Sequence, residues 1–302
     1  MNAVLTARNV TPLPKSISSA LSALKAACAL RAQTPILTTV LMKSNGVNLT
    51  LESTDLESLA RYTTKMPTAG DPFAMAIPFD EFSSMVKHAS VIQLLNYDDT
   101  HATFSIDGAT RSIMILRADE WPAWIQRFKC EQPTATFRGV FDAVLGPLKQ
   151  VSSMASHREA SGQVLMSTFL EVEHNSVVAT ATDGFALRQA RIATCASGIT
   201  SAIVPPAFTS VLAALPFPKK NPPVLNVGIY PQHTYATVTL GDGSRWEVFT
   251  RLVTGGGIFS PADPQFDAPK WGVLGGPHET QTPNARTDRR GPAAARGWNP
   301  RC

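Results

Sequence analysis

The chain has 302 residues, of which 44% are hydrophobic and 17% charged, and its formal net charge is +4. That length suits two domains of ordinary size with a remainder, and the composition excludes a wholly disordered chain. A charge this small permits nucleic-acid contact without arguing for it. Cys28, Cys130, Cys195 and Cys302 are scattered, with no CxxC, which fits free thiols in a reducing compartment better than a disulfide framework or a metal site. The N-terminal stretch lacks the apolar core of a signal peptide, and no apolar run is long enough to span a membrane. A soluble, cytoplasmic protein is expected, with no cofactor.

Ile17, Leu21, Leu24 and Cys28 recur at helical spacing, with Lys15 and Lys25 on other faces, so an amphipathic helix opens the chain and Pro35 is expected to stop it. Strand patterns follow at 36–43 and 47–53 around the hairpin signal Asn45-Gly46. Phe79, Phe82, Met85 and Val86 mark a second helix opened by Pro78. Strands are expected at 91–98, 102–107 and 111–118, the last two joined by a turn at Asp107-Gly108. The segment 124–133 reads as a connection.

Beyond it the pattern resumes. Phe141, Val144, Leu145, Leu148 and Val151 form a helical stripe that Pro147 is expected to kink or shorten. Strands are expected at 164–173 and 176–181, a helix through Phe208, Val211 and Leu212, and strands at 223–229, 234–240 and 245–252. From 255 the pattern ends. Residues 261–302 hold seven Pro and five Gly, and residues 255–302 read as a disordered tail, either without a selected role or a binding tail using Arg286, Arg289, Arg290 and Arg296.

The chain repeats itself. VLMKSNGVNLTLESTDLESLAR (40–61) matches TFLEVEHNSVVATATDGFALR (168–188) with Asp55 on Asp183, an offset of about 128. AIPFDEFSSMV (76–86) matches IVPPAFTSVL (203–212), and ATFSIDGATRS (102–112) matches ATVTLGDGSR (236–245) with a small insertion. Three ordered matches at nearly one spacing imply a duplicated domain, and the period is too long for a solenoid unit. The expected organisation is domain 1 over 1–123, a linker over 124–133, domain 2 over 134–254 and the tail. Each domain is α+β, with two helices on one face of antiparallel sheets of about eight short strands.

No Walker-type loop, HExxH or GxSxG occurs. Ser156, His157 and Glu159 lie close together in a polar loop and fit a solvated loop better than an acid–base pair. Asp55 and Asp183 each follow a Thr at a strand end, the pattern of an Asx-type turn. Enzymatic activity is not expected.

The ordered landmarks resemble the bacterial DNA polymerase III beta subunit, the sliding clamp. They are Pro35-Ile36-Leu37, Thr54-Asp55-Leu56-Glu57, Ile77-Pro78 and Asp119-Glu120-Trp121-Pro122, then Ala181-Thr182-Asp183-Gly184, Ile203-Val204-Pro205 and Thr250-Arg251-Leu252-Val253. The resemblance covers roughly 5–255 and implies tandem DNA-clamp domains. Family chains carry three such domains and two chains close a six-domain ring. With two domains legible here, a six-domain ring requires a head-to-tail homotrimer. The resemblance implies a processivity factor that tethers a polymerase to duplex DNA without reading sequence. The alternative is a clamp-derived interaction or regulatory protein that no longer closes a ring.

In this family the helices line the hole. Phosphate-contacting candidates are therefore Lys15, Lys25, Arg31, Lys87, Lys149, Arg158, Lys219 and Lys220, with Arg31 matching a loop arginine of the family. The resemblance also implies a pocket for short peptides from the replicative polymerase and the clamp loader. Its domain-2 half falls on Leu165, Thr182, Gly184, Phe185 and Leu187. Phe185 is expected to narrow that pocket, and the half that the third domain would supply has no counterpart.

Overall fold

The two Thr-Asp sequences build the same turn, bond for bond. In the first, the Thr54 hydroxyl donates to the Ser58 carbonyl at 2.6 Å and accepts from the Leu56 amide at 3.0 Å, while Asp55 Oδ1 accepts from the amides of Glu57 and Ser58 at 2.9 and 2.6 Å. In the second, the Thr182 hydroxyl donates to the Ala186 carbonyl at 2.6 Å and accepts from the Gly184 amide at 3.1 Å. Asp183 Oδ1 accepts from Phe185 and Ala186 at 2.9 and 2.8 Å. The third residue of each turn has a positive φ, 75° at Leu56 and 95° at Gly184, so the glycine adopts freely what the leucine adopts under strain. Both aspartates act as the sequence implies, as turn-formers.

The computed structural model describes residues 10–122, 131–158, 162–218 and 220–254. Most of the expected linker, the whole tail with its arginines, Cys130, Cys302, Glu159 and Lys219 lie outside the described residues. The first half contains β1 (Thr11–Pro12), α1 (Leu21–Ala27), β2 (Thr39–Ser44), β3 (Asn48–Thr54), β4 (Ser58–Lys65), β5 (Phe73–Pro78), α2 (Phe79–Val86), β6 (Ile92–Tyr97), β7 (His101–Ile106) and β8 (Ala109–Met114). The second contains β9 (Ala135–Val140), α3 (Phe141–Ser152), α4 (Gly162–Leu165), β10 (Thr168–Glu173), β11 (Ser176–Thr182), β12 (Leu187–Ala193), β13 (Cys195–Ser197), β14 (Thr200–Val204), α5 (Pro206–Ala214), β15 (Val224–Ile229), β16 (His233–Thr239) and β17 (Arg245–Arg251).

Strand order bears out the duplication. The first half pairs β1-β6-β7-β8 and β5-β2-β3-β4, and the second pairs β9-β15-β16-β17 and β14-β10-β11-β12, all antiparallel. β13 adds one short strand beside β9. The fold is α+β. The halves are not separate bodies: β17 pairs with β4 and makes one nine-stranded sheet through both. All described residues fall in one compact unit.

Four expectations need correcting. Pro35 does not end a helix: α1 stops at Ala27, and Pro35 opens a 3-10 turn through Thr38, so the strand begins at Thr39. A proline's fixed φ suits the first turn of a helix. The strand expected at 111–118 is β8, ending at Met114. The strand expected from 164 starts at Thr168, because Gly162–Leu165 coil into one helical turn. Pro147 does not shorten α3, which runs through it for twelve residues because Phe141, Val144, Leu145, Leu148 and Val151 are buried along one stripe.

The helices form a row. α2 touches the 3-10 turn Lys15–Ala20 that leads into α1, α1 touches α5, and α5 touches α3. Each also packs on sheet: α1 on β3 and β4, α5 on β17 and β4, α3 on β11 and β12. One continuous apolar core therefore runs beneath the row, from Leu24, Phe82 and Phe104 to Phe141, Phe208 and Trp246. Cys28 closes the end of α1, its thiol pointing to the Leu37 carbonyl at 3.4 Å, and burial with help from Asp80 and Asp55 pushes its pKa up to about 12.

The junction of β17 with β4 has its own chemistry. Phe249 packs on Leu59 beside Tyr235, and Trp246 meets Tyr62 at 4.8 Å between ring centroids. Arg61 reaches Glu247 at 3.2 Å and Glu52 at 3.1 Å, all three largely buried. Burial alone would raise the Glu247 pKa, but the Tyr235 hydroxyl, which donates to it, and the guanidinium groups of Arg61 and Arg245 hold it below the usual range. Removing Arg61 strands two buried carboxylates. Arg61→Ala should cost about 3–5 kcal/mol in chemical denaturation, whereas Arg191→Ala, whose bridge to Glu173 is exposed, should leave the midpoint near that of the parent.

His233 stacks between Tyr230 at 4.3 Å and Phe249 at 4.6 Å and is 2% exposed. Burial pushes its pKa from 6.5 down to about 4; Glu131, 4.0 Å away and half-exposed, is too well solvated to offset this. The unfolded chain takes up the proton near pH 6.5 and the folded one refuses it until about 4. Stability from this group is therefore full above pH 6.5 and falls as pH drops through that window. The melting temperature should decline from pH 6.5 to 4, and His233→Gln should flatten that decline.

Candidate nucleic-acid interface and peptide groove

The row of helices carries an excess of exposed cations. Lys15 opens the 3-10 turn, Lys25 sits in the last turn of α1, Lys87 follows α2, and Lys149 lies in the last turn of α3. Arg31 lies in the loop after α1, Arg158 beyond α3 and Lys220 beyond α5. All seven are exposed, and none makes an ion pair among the described residues. Lys219, the eighth candidate, is outside the described residues. The acids on the row are few: Asp80 and Glu81 open α2 and Asp142 opens α3, where acids suit the helix N-terminal dipole. Glu81 is already paired with Arg111. α5, in the middle of the row, has no ionisable side chain.

The sequence reading missed one cation. Arg188 lies on β12, yet its guanidinium donates to the Gln150 carbonyl near the end of α3 at 2.9 Å. It is exposed and belongs to the same row as Lys149. Only the tertiary packing of α3 on β12 reveals it; a strand arginine carries no helical signal.

The five groove residues come together. Thr182, Gly184, Phe185 and Leu187 form the turn between β11 and β12, and a methyl of Leu165 stands 3.9 Å from where a Gly184 Cβ would lie. The Leu165 carbonyl accepts from the Ser156 amide at 2.8 Å, and the Ser156 hydroxyl from the Arg158 amide at 3.2 Å, so this loop is tied to the groove. The amides of Ala186 and Phe185 on the Asp183 carboxylate hold its pKa below the usual range. Phe185 stands out from the turn into solvent. It is 81% exposed, the most exposed large apolar side chain among the described residues, and Leu187 is 42% exposed.

A cavity of about 920 Å³ lies on the junction's other face, lined by Arg61, Glu52, Glu247, Phe73, Tyr97 and Trp121. Of its three carboxylates, Glu52 and Glu247 are committed to Arg61 and Asp119 to Arg117. Among the described residues no cluster of His, Cys, Asp or Glu is arranged to hold a metal ion, and no helix is long and apolar enough to cross a membrane.

No protein-family model and no curated protein matches the chain. Solved structures do match. The DNA polymerase III subunit beta of Pseudomonas aeruginosa superposes with a TM-score of 0.68 at 19% identity, over 83% of this chain and 66% of its own. The DNA polymerase sliding clamp of Bacillus subtilis gives 0.71 at 15% identity, over 85% and 67%. The Helicobacter pylori beta clamp bound to a DNA ligase peptide gives 0.68 at 15%, over 87% and 70%. At these identities the likeness is one of fold. The described part of the chain has the sliding-clamp fold, and the chain spans about two thirds of the length of these proteins.

Proposed function

We propose that this chain is a clamp-type processivity factor: a non-enzymatic scaffold of the DNA-replication machinery that holds duplex DNA by its phosphates and so keeps a polymerase near its template. The reading rests chiefly on one observation, the row of packed helices that carries exposed lysines and arginines without ion pairs among the described residues and few acids beside them. Such a surface attracts phosphate without distinguishing bases. Tethering then raises the local concentration of the partner rather than its intrinsic affinity. The clamp fold is the scaffold such a function uses. The cytoplasm is the matching compartment.

A second reading, a clamp-derived interaction protein that does not close a ring, draws on the groove. Leu165 and Leu187 supply one apolar wall, and no described residue supplies a facing one. The partners proposed for that groove are short extended peptides from a replicative polymerase or a clamp loader. A separate ligand, a DNA ligase peptide, is named for the Helicobacter pylori clamp.

Arg31→Glu, Lys25→Glu and Lys149→Glu together should weaken duplex binding about equally on any sequence. They should also reduce the slope of log affinity against log salt by about three, one for each phosphate no longer neutralised. Fluorescence anisotropy over a salt series measures both, and an unchanged slope removes these residues from the interface.

A one-walled groove buries about half of an apolar anchor, worth about 1.5–3 kcal/mol when fully buried. Dilute monomeric chain should therefore bind a clamp-binding peptide at least about tenfold more weakly than a two-walled groove would. Calorimetric titration at low protein concentration tests this; micromolar or tighter binding sinks the one-walled description. Because Phe185 is exposed, Phe185→His should leave that affinity nearly unchanged.

A further inference from the structure

The sheet at the junction has a second face, turned away from the helices. Along β3, Leu49, Leu51 and Ser53 point inward, so Thr50 and Glu52 point out; along β4, Ala60 and Tyr62 point inward and Arg61 and Thr63 out. Strand register then lays two rows of side chains across the outer face. One runs through Leu41, Glu52, Arg61 and Glu247, the other through Lys43, Thr50 and Thr63. Together they floor the cavity of about 920 Å³, a size that suits a small organic molecule.

The first row is electrically complete, because Arg61 holds both Glu52 and Glu247. The second is not. Lys43 is half-buried and makes no ion pair among the described residues. Beside it the hydroxyls of Thr50 and Thr63 lie 3.4 Å apart, and whichever donates to the other, one proton is left to give. The walls are apolar. Phe73 and Tyr97 lean together at 6.4 Å between ring centroids. Trp121, just past the 3-10 turn Ala118–Glu120, packs on Leu41 and Ala76 and is 7% exposed. Its indole N–H is buried, and no acceptor meets it among the described residues. A buried donor in that state costs stability until an acceptor arrives. Leu41 and Lys43 are two residues apart on one face of β2, about 7 Å along the strand, so the indole and the ammonium group serve one cavity.

We propose that this cavity binds a small organic oxyanion with an apolar body. Its carboxylate, sulfonate or phosphate head group takes the donors of Lys43 and Trp121 and a threonine hydroxyl, and its body lies against Phe73 and Tyr97. Three donors with no acceptor of their own to satisfy suit a head group that only accepts. The carboxylates of Glu52, Glu247 and Asp119 surround the same space, so a head group of low charge is favoured over a polyphosphate. The site lies across the sheet from the row of helices and does not depend on the clamp-type reading.

Anilinonaphthalene sulfonate is a suitable probe, since it carries one negative charge on an aromatic body and fluoresces when held out of water. Titrated into the folded full chain, it should bind saturably. Lys43→Met keeps the apolar stem and removes the charge, and should weaken binding about tenfold or more; Trp121→Phe removes the N–H and should weaken it about threefold or more. Lys65→Met, which removes a charge at the exposed end of β4 outside the cavity, should bind like the parent. Octanoate and adenosine monophosphate, added as competitors, separate the sources: displacement by the first assigns an aliphatic carboxylate, by the second a nucleotide. Absence of saturable binding, a Lys43→Met chain that binds like the parent, an equal loss in Lys65→Met, or failure of both competitors would each overturn the proposal. So would a signal lost in Phe185→Ser but kept in Lys43→Met, which places the probe on the groove. Lys43 is outside the apolar core, so a melting temperature near the parent's shows that Lys43→Met is folded and keeps the test decisive even where Trp121→Phe is not.

Discussion

The pairing of β17 with β4 is the constraint on which the rest of the molecule depends. It turns two repeats of one topology into a single nine-stranded sheet, and through that sheet it aligns the helices of both halves into one row. Apolar burial and a buried ion pair share the work. Phe249, Leu59 and Tyr235 seal one side, Trp246 and Tyr62 the other, and Arg61 bridges two carboxylates that would otherwise be costly to bury. A buried bridge of this kind gives little net stability against an apolar substitute. It does penalise every register other than the one in which Arg61 meets Glu247.

Because α5 packs on both β17 and β4, it sits over the junction itself. A charge there would have to be buried or would compete with the strand packing, and its sequence, PAFTSVLAA, has none. The cations of the row therefore fall to either side, on the first copy's α1 and on the second copy's α3 with Arg188 beside it. The uneven charge of this surface follows from how the two halves are joined.

The duplication and both turns were legible because they rest on local hydrogen bonding that Thr and Asp advertise at fixed spacing. The stripes of α2 and α3 were legible for the same reason, since periodicity reports burial. What was missed lies where a distant neighbour overrides local preference. Pro147 is tolerated because five apolar residues on one stripe hold α3 to its sheet. β4 and β12 passed unread because arginines interrupt their apolar pattern: Arg61 is largely buried only by virtue of Glu52 and Glu247, and Arg188 is anchored by α3. The direction of Phe185 was not legible, because a turn with positive φ at Gly184 decides where the next side chain points.

The junction also has a kinetic side. Its hairpins and turns close over a few residues, but Arg61 and Glu247 are 186 residues apart. Pairings so distant in sequence are slow to form, since a long loop must be closed before they are rewarded. During refolding each half therefore waits with an unsatisfied strand edge, β4 on one and β17 on the other. An identical β17 from a second chain satisfies β4 equally well, with the same six residue pairs and the same ion pair. Refolding at high concentration thus favours exchange of halves between chains, and refolding at high dilution favours the closed chain.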